Sequence, residues 1–158
     1  MKLTEIVPQG AIVEQLRATD RDGAIAELVD AIIASGIASA TLREELITKV
    51  LDREKRGSTG FGRGVAVPHV KHRNVGKMAA AIGLAPRGID FNSLDKQPVY
   101  TVFLLLSPEE RPEEHLQAME VIFKNLSKDT FRRFLRQATT VEHVRTLLEE
   151  ADSQQLGG

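Results

Sequence analysis

The sequence predicts an α/β fold in a single domain, with helices on both sides of a sheet. Three observations carry this. Apolar residues at helical spacing alternate with short β-rich runs along the chain, the order of elements that covers both faces of a sheet. Three segments have capping-box spacing, Thr19 to Asp22, Thr41 to Glu44 and Thr139 to Glu142, each just ahead of a helical pattern. The run Val99 to Leu106 is continuously apolar and partly β-branched or aromatic, which suits a strand buried on both faces.

Residues 3–7 and 11–13 read as short extended segments. The first capping box opens a helix over about residues 20–35, with Ile25, Leu28, Val29 and Ile32 on one face and Gly36 as its stop. The second opens a helix over about 42–55 that ends before Gly57. Val65-Ala66-Val67 reads as a short buried strand, ended by Pro68, so His69 is expected at a strand's end. Met78 to Ala85 is alanine-rich. Gly83 and the turn signal Pro86-Arg87-Gly88 favour a short strand there. Ser107-Pro108 ends the next strand. Pro112 suits the first turn of a helix reaching about Leu126, with Glu113 and Glu114 complementing its dipole. Asp129 is the expected cap of a helix at 130–137, and the third capping box opens one to about residue 150. The polar tail is expected to fray. The domain is therefore drawn at 1–151 with a flexible tail at 152–158.

A chain of 158 residues, 42% hydrophobic and 27% charged, has the size and balance of one domain with its own core. Its formal net charge of −1 provides no global field that would select nucleic acid or an acidic membrane. The absence of cysteine excludes a disulfide framework, a thiolate metal site and a phosphocysteine. The amino terminus lacks the apolar core of a signal peptide. The longest apolar run, Val102 to Leu106, falls far short of the roughly 20 residues of a membrane span. The expectation is a soluble, cytoplasmic protein without direct membrane insertion.

Chemistry concentrates between Arg53 and His69. Gly57, Gly60, Gly62 and Gly64 let the backbone bend tightly and approach a ligand ahead of Pro68-His69. This is no Walker loop, since Gly-x4-Gly-Lys-Ser/Thr is absent, and the glycine spacing does not match the dinucleotide fingerprint. His69 and His72 form an H-x-x-H beyond a proline with no clear carboxylate ligand, so no metal is expected. His72 and His143 read as surface residues.

His69 is the candidate nucleophile. A neutral imidazole has a free ring lone pair near pH 7 and needs only modest activation. His115 is in register with Met119 and Ile122, so it faces inward. It is either a satisfied core histidine or a partner that meets His69 at one sheet edge. Arg53 falls on a helical line with Leu46 and Val50, where an arginine must find an anion or reach out to solvent. It can clamp phosphoryl oxygens, or complement the helix end with Glu109 or Glu110 as partner. Ser58 and Thr59 are candidate phosphate donors and equally plausible turn formers. Lys55, Arg56 and Arg63 read as solvated or partner-facing.

The segment resembles the phosphohistidine site of the phosphotransferase-system EIIA domains of the fructose/mannitol type, which include the nitrogen-regulatory EIIA proteins. The matching pieces are Arg53-Glu54, Ser58-Thr59-Gly60, Gly62-Arg63-Gly64, Val65-Ala66-Val67 and Pro68-His69. Gly88-Ile-Asp-Phe91, Leu106-Ser-Pro108 and His115-Leu-Gln117 follow in the family's order. The resemblance implies a mixed sheet of about five strands. It implies that His69 takes phosphate through Nε2 from an HPr-type phosphohistidine protein, itself supplied from phosphoenolpyruvate through enzyme I. It gives His115 the role of orienting His69 and stabilising charge, and requires no cofactor. The onward partner is an EIIB domain, whose cysteine passes phosphate to a sugar, or a regulated target protein. With no EIIB or EIIC segment and Ser58-Thr59-Gly60 in its loop, the chain leans toward the nitrogen-type regulator. A non-transferring interaction module with this fold is the rival. One departure stands out: Val70 occupies a position where family members often carry glycine, so the local loop is expected to differ.

Overall fold

The computed structural model describes residues 1–157, with side chains through Gln154. In chain order the elements are α1 (Leu3–Ile6), β1 (Ile12–Val13), α2 (Arg21–Ala34), α3 (Arg43–Lys55), β2 (Gly60–Gly62), β3 (Val65–Ala66), β4 (His69–His72), β5 (Ala79–Ile89), β6 (Val99–Pro108), α4 (Pro112–Leu126), α5 (Asp129–Gln137) and α6 (Val141–Gly157). The sheet has six strands in the order β1-β5-β6-β3-β2, with β4 also on β6. It is mixed: β5–β6 and β2–β3 are antiparallel, whereas β1–β5, β3–β6 and β4–β6 are parallel.

Strands β3 and β4 are one strand interrupted at Pro68. Val65 is opposite Thr101 and His69 opposite Leu105, so the register carries straight across the gap. Pro68 has no N–H for the ladder, yet its carbonyl still accepts from Leu105 N at 2.9 Å. This interruption makes six strands of the expected five or so. It also corrects the place of His69, which opens β4 on an edge of the sheet instead of ending a strand.

Side-chain alternation along β6 divides the core. Phe103 and Leu105 pack with α1, α4, α5 and α6, while Val102, Leu104 and Leu106 pack with α2 and α3. Fully burying each such side chain stabilises the fold by roughly 1.5–3 kcal/mol relative to exposure, so the two layers hold β6 firmly and with it the start of α4.

The structure corrects several boundaries. Residues 3–6 form a helical turn, because Leu3, Ile6 and Val7 bury together at helical spacing and Asp152 caps the turn. Asp152 Oδ1 accepts from Leu3 N at 2.7 Å, and Thr4 Oγ1 donates to Oδ2 at 2.7 Å. Asp152 was expected in the tail, but it is buried and belongs to α6; Gly158 of that tail lies outside the described residues. The capping boxes open helices, yet other side chains do the capping. Asp20 Oδ1 accepts from Gly23 N at 2.8 Å, and Thr140 Oγ1 from His143 N at 3.0 Å. A single 3₁₀ turn at Ala40–Leu42, capped by Ser39, precedes α3. Asp129 lies in the first turn of α5 rather than capping it. Pro86-Arg87-Gly88 does not end β5: the pairing slips between Leu84 and Ile89, and Gly88 takes φ 81°. The turn signal is thus a bulge within one long strand.

Candidate active site

Pro68 directs the chain along the sheet edge, and period-2 alternation then divides β4 between two sides. Val70 enters the core with Leu46, Leu104 and Leu106, in ordinary strand conformation. His72 follows it inward. It is 1% exposed, with Nε2 3.1 Å from Glu45 Oε1 and Nδ1 accepting from Asn74 N at 3.0 Å. The expectation of a surface histidine is corrected by that register. His143 is exposed. His69 and Lys71 take the opposite side and line an open cleft of about 480 Å3 with Arg53 and His115.

His69 is half-buried, and its Nδ1 lies 2.8 Å from the Val67 carbonyl. A carbonyl only accepts, so Nδ1 carries the proton and Nε2 keeps a free lone pair. Burial pushes the His69 pKa below 6.5; the Val67 bond opposes this and the Arg53 charge adds to it.

His115 is held from two directions. Pro112 occupies the first position of α4, and His115 comes one turn later, its N–H bonded to Arg111 O at 3.3 Å. Its Nδ1 meets Ser107 Oγ, near the end of β6, at 2.7 Å. The ring is buried and its pKa is pushed down to about 4, first by burial and then by His69 and Lys71. Both histidines are therefore neutral near pH 7. Their ring centroids are 5.6 Å apart.

Arg53 sits in the last turn of α3, where its Nη1 donates to Gly57 O at 2.8 Å. Among the described residues it has no carboxylate partner, Glu109 and Glu110 included, so its guanidinium keeps donors for an anion. The buried line Leu46–Val50 continues to Glu54 rather than to Arg53. Glu54 was missed by sequence reasoning, which read it only as part of a motif; its i+4 spacing from Val50 was the available signal.

Ser58 and Thr59 are not brought to the cleft. Ser58 Oγ donates to Phe91 O at 2.9 Å and accepts from Gly60 N at 3.0 Å, which fixes the turn. Thr59 is buried. Its hydroxyl donates to Glu54, and its N–H reaches Glu54 Oε2 at 3.1 Å. Both side chains are committed to holding the loop, which fits the turn-forming alternative of the two that the sequence left open. Lys49, Arg56 and Lys71 line the cleft instead, with Asp52 and Glu109. Lys49 and Arg56 stand one turn either side of Arg53, a helical spacing that could have flagged them.

Two histidines and an arginine that has no carboxylate partner among the described residues thus meet in one edge cleft of a helix-flanked mixed sheet, a donor set that suits a phosphoryl group. The chain belongs to the family described as "Phosphoenolpyruvate-dependent sugar phosphotransferase system, EIIA 2", whose model matches residues 5–151. It is 34% identical to a nitrogen regulatory protein of Bradyrhizobium diazoefficiens over 150 residues, covering 94% of this chain and 95% of that one. It is 31% identical to the fructose-specific EIIA component of Haloferax volcanii over 82% of this chain and 83% of the relative. Against the fructose-specific EIIABC component of Bacillus subtilis the identity is 29%, and the match spans only 24% of that protein's length. In structure it is similar to nitrogen regulatory protein IIA-Ntr of Neisseria meningitidis, with a TM-score of 0.81 and 29% identity over 91% of this chain and 97% of that one. Among the described residues no helix is long and apolar enough to cross a membrane.

Proposed function

We propose that this chain is a phosphoryl carrier in which His69 accepts phosphate from the phosphohistidine of an HPr-type protein. The observation that carries the reading is the Val67 carbonyl on Nδ1, which leaves the Nε2 lone pair of His69 free in a cleft shared with Arg53 and His115. That lone pair attacks phosphorus as the donor's P–N bond breaks, and the bonding electrons return to the donor's ring nitrogen. The product is phospho-His69, still holding its Nδ1 proton on Val67. The 2.7 Å contact between Ser107 Oγ and His115 Nδ1 allows either direction; in this reading the hydroxyl donates, so His115 offers an Nε2–H to a phosphoryl oxygen. Arg53 contributes a charged, forked donor. Catalysis is then positioning and charge stabilisation, with no cofactor required.

The test is intact mass after incubation with phosphoenolpyruvate, enzyme I and the organism's own HPr-type carrier. A single acid-labile phosphoryl adduct on the wild type, absent from His69→Ala, is expected. No adduct on folded wild type would leave an interaction module with this fold.

For the onward step, the nitrogen-regulatory relatives support a regulator that acts in the cytoplasm on target proteins according to its phosphorylation state. The fructose-specific relative favours a second reading, in which phosphate passes to an EIIB cysteine during sugar uptake. Transfer from phosphorylated chain to an EIIB domain encoded by the same organism separates the two.

A further inference from the structure

The glycine-rich segment has a second outlet. At the tip of the β2–β3 hairpin, Arg63 takes φ 62° between Gly62 at φ 113° and Gly64 at φ 79°. A non-glycine residue in the left-handed region is disfavoured, so the hairpin presents an arginine where glycine would sit more easily. The Arg63 N–H is anchored on Asp95 Oδ2 at 3.1 Å. The hairpin forms one wall of a cleft of about 790 Å3, and α5 forms another with Arg132, Arg133 and Arg136. This cleft shares no lining residue with the one at His69.

The cations here exceed their partners. Asp129 lies 3.2 Å from Arg132 and 3.9 Å from Arg133. The Asp95 carboxylate is taken by the backbone N–H groups of Arg63 and Gln97. Among the described residues neither Arg63 nor Arg136 has a carboxylate partner. Arg132 and Arg136 stand four residues apart on one helix, where like charges repel. Arg136 is also set in place: its guanidinium lies 3.6 Å from the Tyr100 ring centroid. That ring is seated against Gly64 and Gly88, where an added Cβ would come within 3.1 Å of it. A chain of net charge −1 has gathered four arginines around one concave surface; the Arg132 guanidinium is held by the Leu126 carbonyl and Asp129, which leaves Arg63, Arg133 and Arg136 to face an anion.

We propose that the cleft between the β2–β3 hairpin and α5 is a second anion site, which binds a small polyanion with two or more linked phosphate groups. Guanidinium forks match phosphate oxygens. Arg63 stands on one wall and Arg133 and Arg136 on another, so linked phosphates engage both walls where a lone phosphate engages one. Two sources share this chemistry. One is an inorganic phosphate chain. The other is a nucleoside polyphosphate, whose base would stack on the outer face of Arg136, opposite Tyr100.

The test is calorimetric titration of the full chain with tripolyphosphate, orthophosphate and ATP at near-physiological salt. Saturable one-to-one tripolyphosphate binding is expected, with orthophosphate weaker by tenfold or more. Arg63→Gly and Arg136→Gln should each weaken tripolyphosphate roughly tenfold, the effect of one charge-assisted contact. Arg53→Ala should leave it unchanged. Arg63→Gly also relieves the left-handed strain, so its melting temperature should stay level or rise while affinity falls. A purely structural arginine would not separate the two. ATP binding more tightly than tripolyphosphate identifies the nucleoside source, and equal affinity identifies the phosphate chain alone. Absence of saturable binding, binding that survives the combined Arg63→Gly and Arg136→Gln variant, or loss of binding in Arg53→Ala would each overturn the proposal.

Discussion

The imidazoles of His69 and His115 lie with ring centroids 5.6 Å apart and planes inclined by 53°. One comes from an edge strand and the other from a helix. They meet because β4 and β6 run parallel: His69 is opposite Leu105 and Lys71 opposite Ser107. The chain leaving β6 therefore arrives beside β4, and Ser107 and α4 together aim His115 at His69.

His69→Ala should abolish phosphoryl acceptance while leaving thermal unfolding near that of wild type, because the ring sits at an edge and not in the core. His115→Ala and Arg53→Ala should still accept, but slower by roughly 10²–10³-fold, the usual effect of removing one preorganised donor. Single-turnover quench experiments with excess phosphorylated carrier check this. Wild-type rates in both variants would make the two residues structural.

His69 should titrate below 6.5, because burial disfavours its charged form. The neutral nucleophile then persists to lower pH than in a free imidazole. An NMR titration of the His69 ring gives the midpoint directly. A value at or above 6.5 would contradict the buried, Val67-bonded geometry.

His115 links folding to pH. Its folded pKa, about 4, lies below the unfolded value of 6.5. Between those values the unfolded chain binds a proton that the folded chain does not. Its contribution is thus complete above 6.5 and declines as pH falls toward 4, by on the order of 3 kcal/mol. Urea denaturation at pH 7 and pH 4.5 should show the loss in wild type and a shallower one in His115→Gln. Equal slopes would remove His115 as the source.

Glu54→Ala should destabilise the fold by about 2–4 kcal/mol, since it strands the buried N–H and hydroxyl of Thr59. Thr59→Val should lower stability by less and leave the acceptance rate near wild type, because the Thr59 hydroxyl serves Glu54. Chemical denaturation and single-turnover rates on the two variants test both statements. A large rate loss in a stable Thr59→Val protein would return that hydroxyl to the phosphoryl site.

The sequence by itself determined the alternation of helices and strands, the doubly buried strand at Val99 to Leu106, and Arg53, His69 and His115 as residues to bring together. The first two are local periodicities written in spacing; spacing left Arg53 and His115 with structural alternatives, and the resemblance to the EIIA domains implied that they join His69. What lay beyond it depends on partners far along the chain. His72 is buried because β4 pairs with β6 in one register, and a slip of one residue would have exposed it. Pro68 interrupts a strand instead of ending it because β6 continues alongside to accept His69. Ser58 and Thr59 hold the loop because Phe91 and Glu54 stand within reach. Asp152 belongs to the domain because α1 needs a cap. Spacing along a chain specifies faces; only the packed structure decides what each face meets, since a hydrogen-bond partner or a buried register is a property of two segments and not of one.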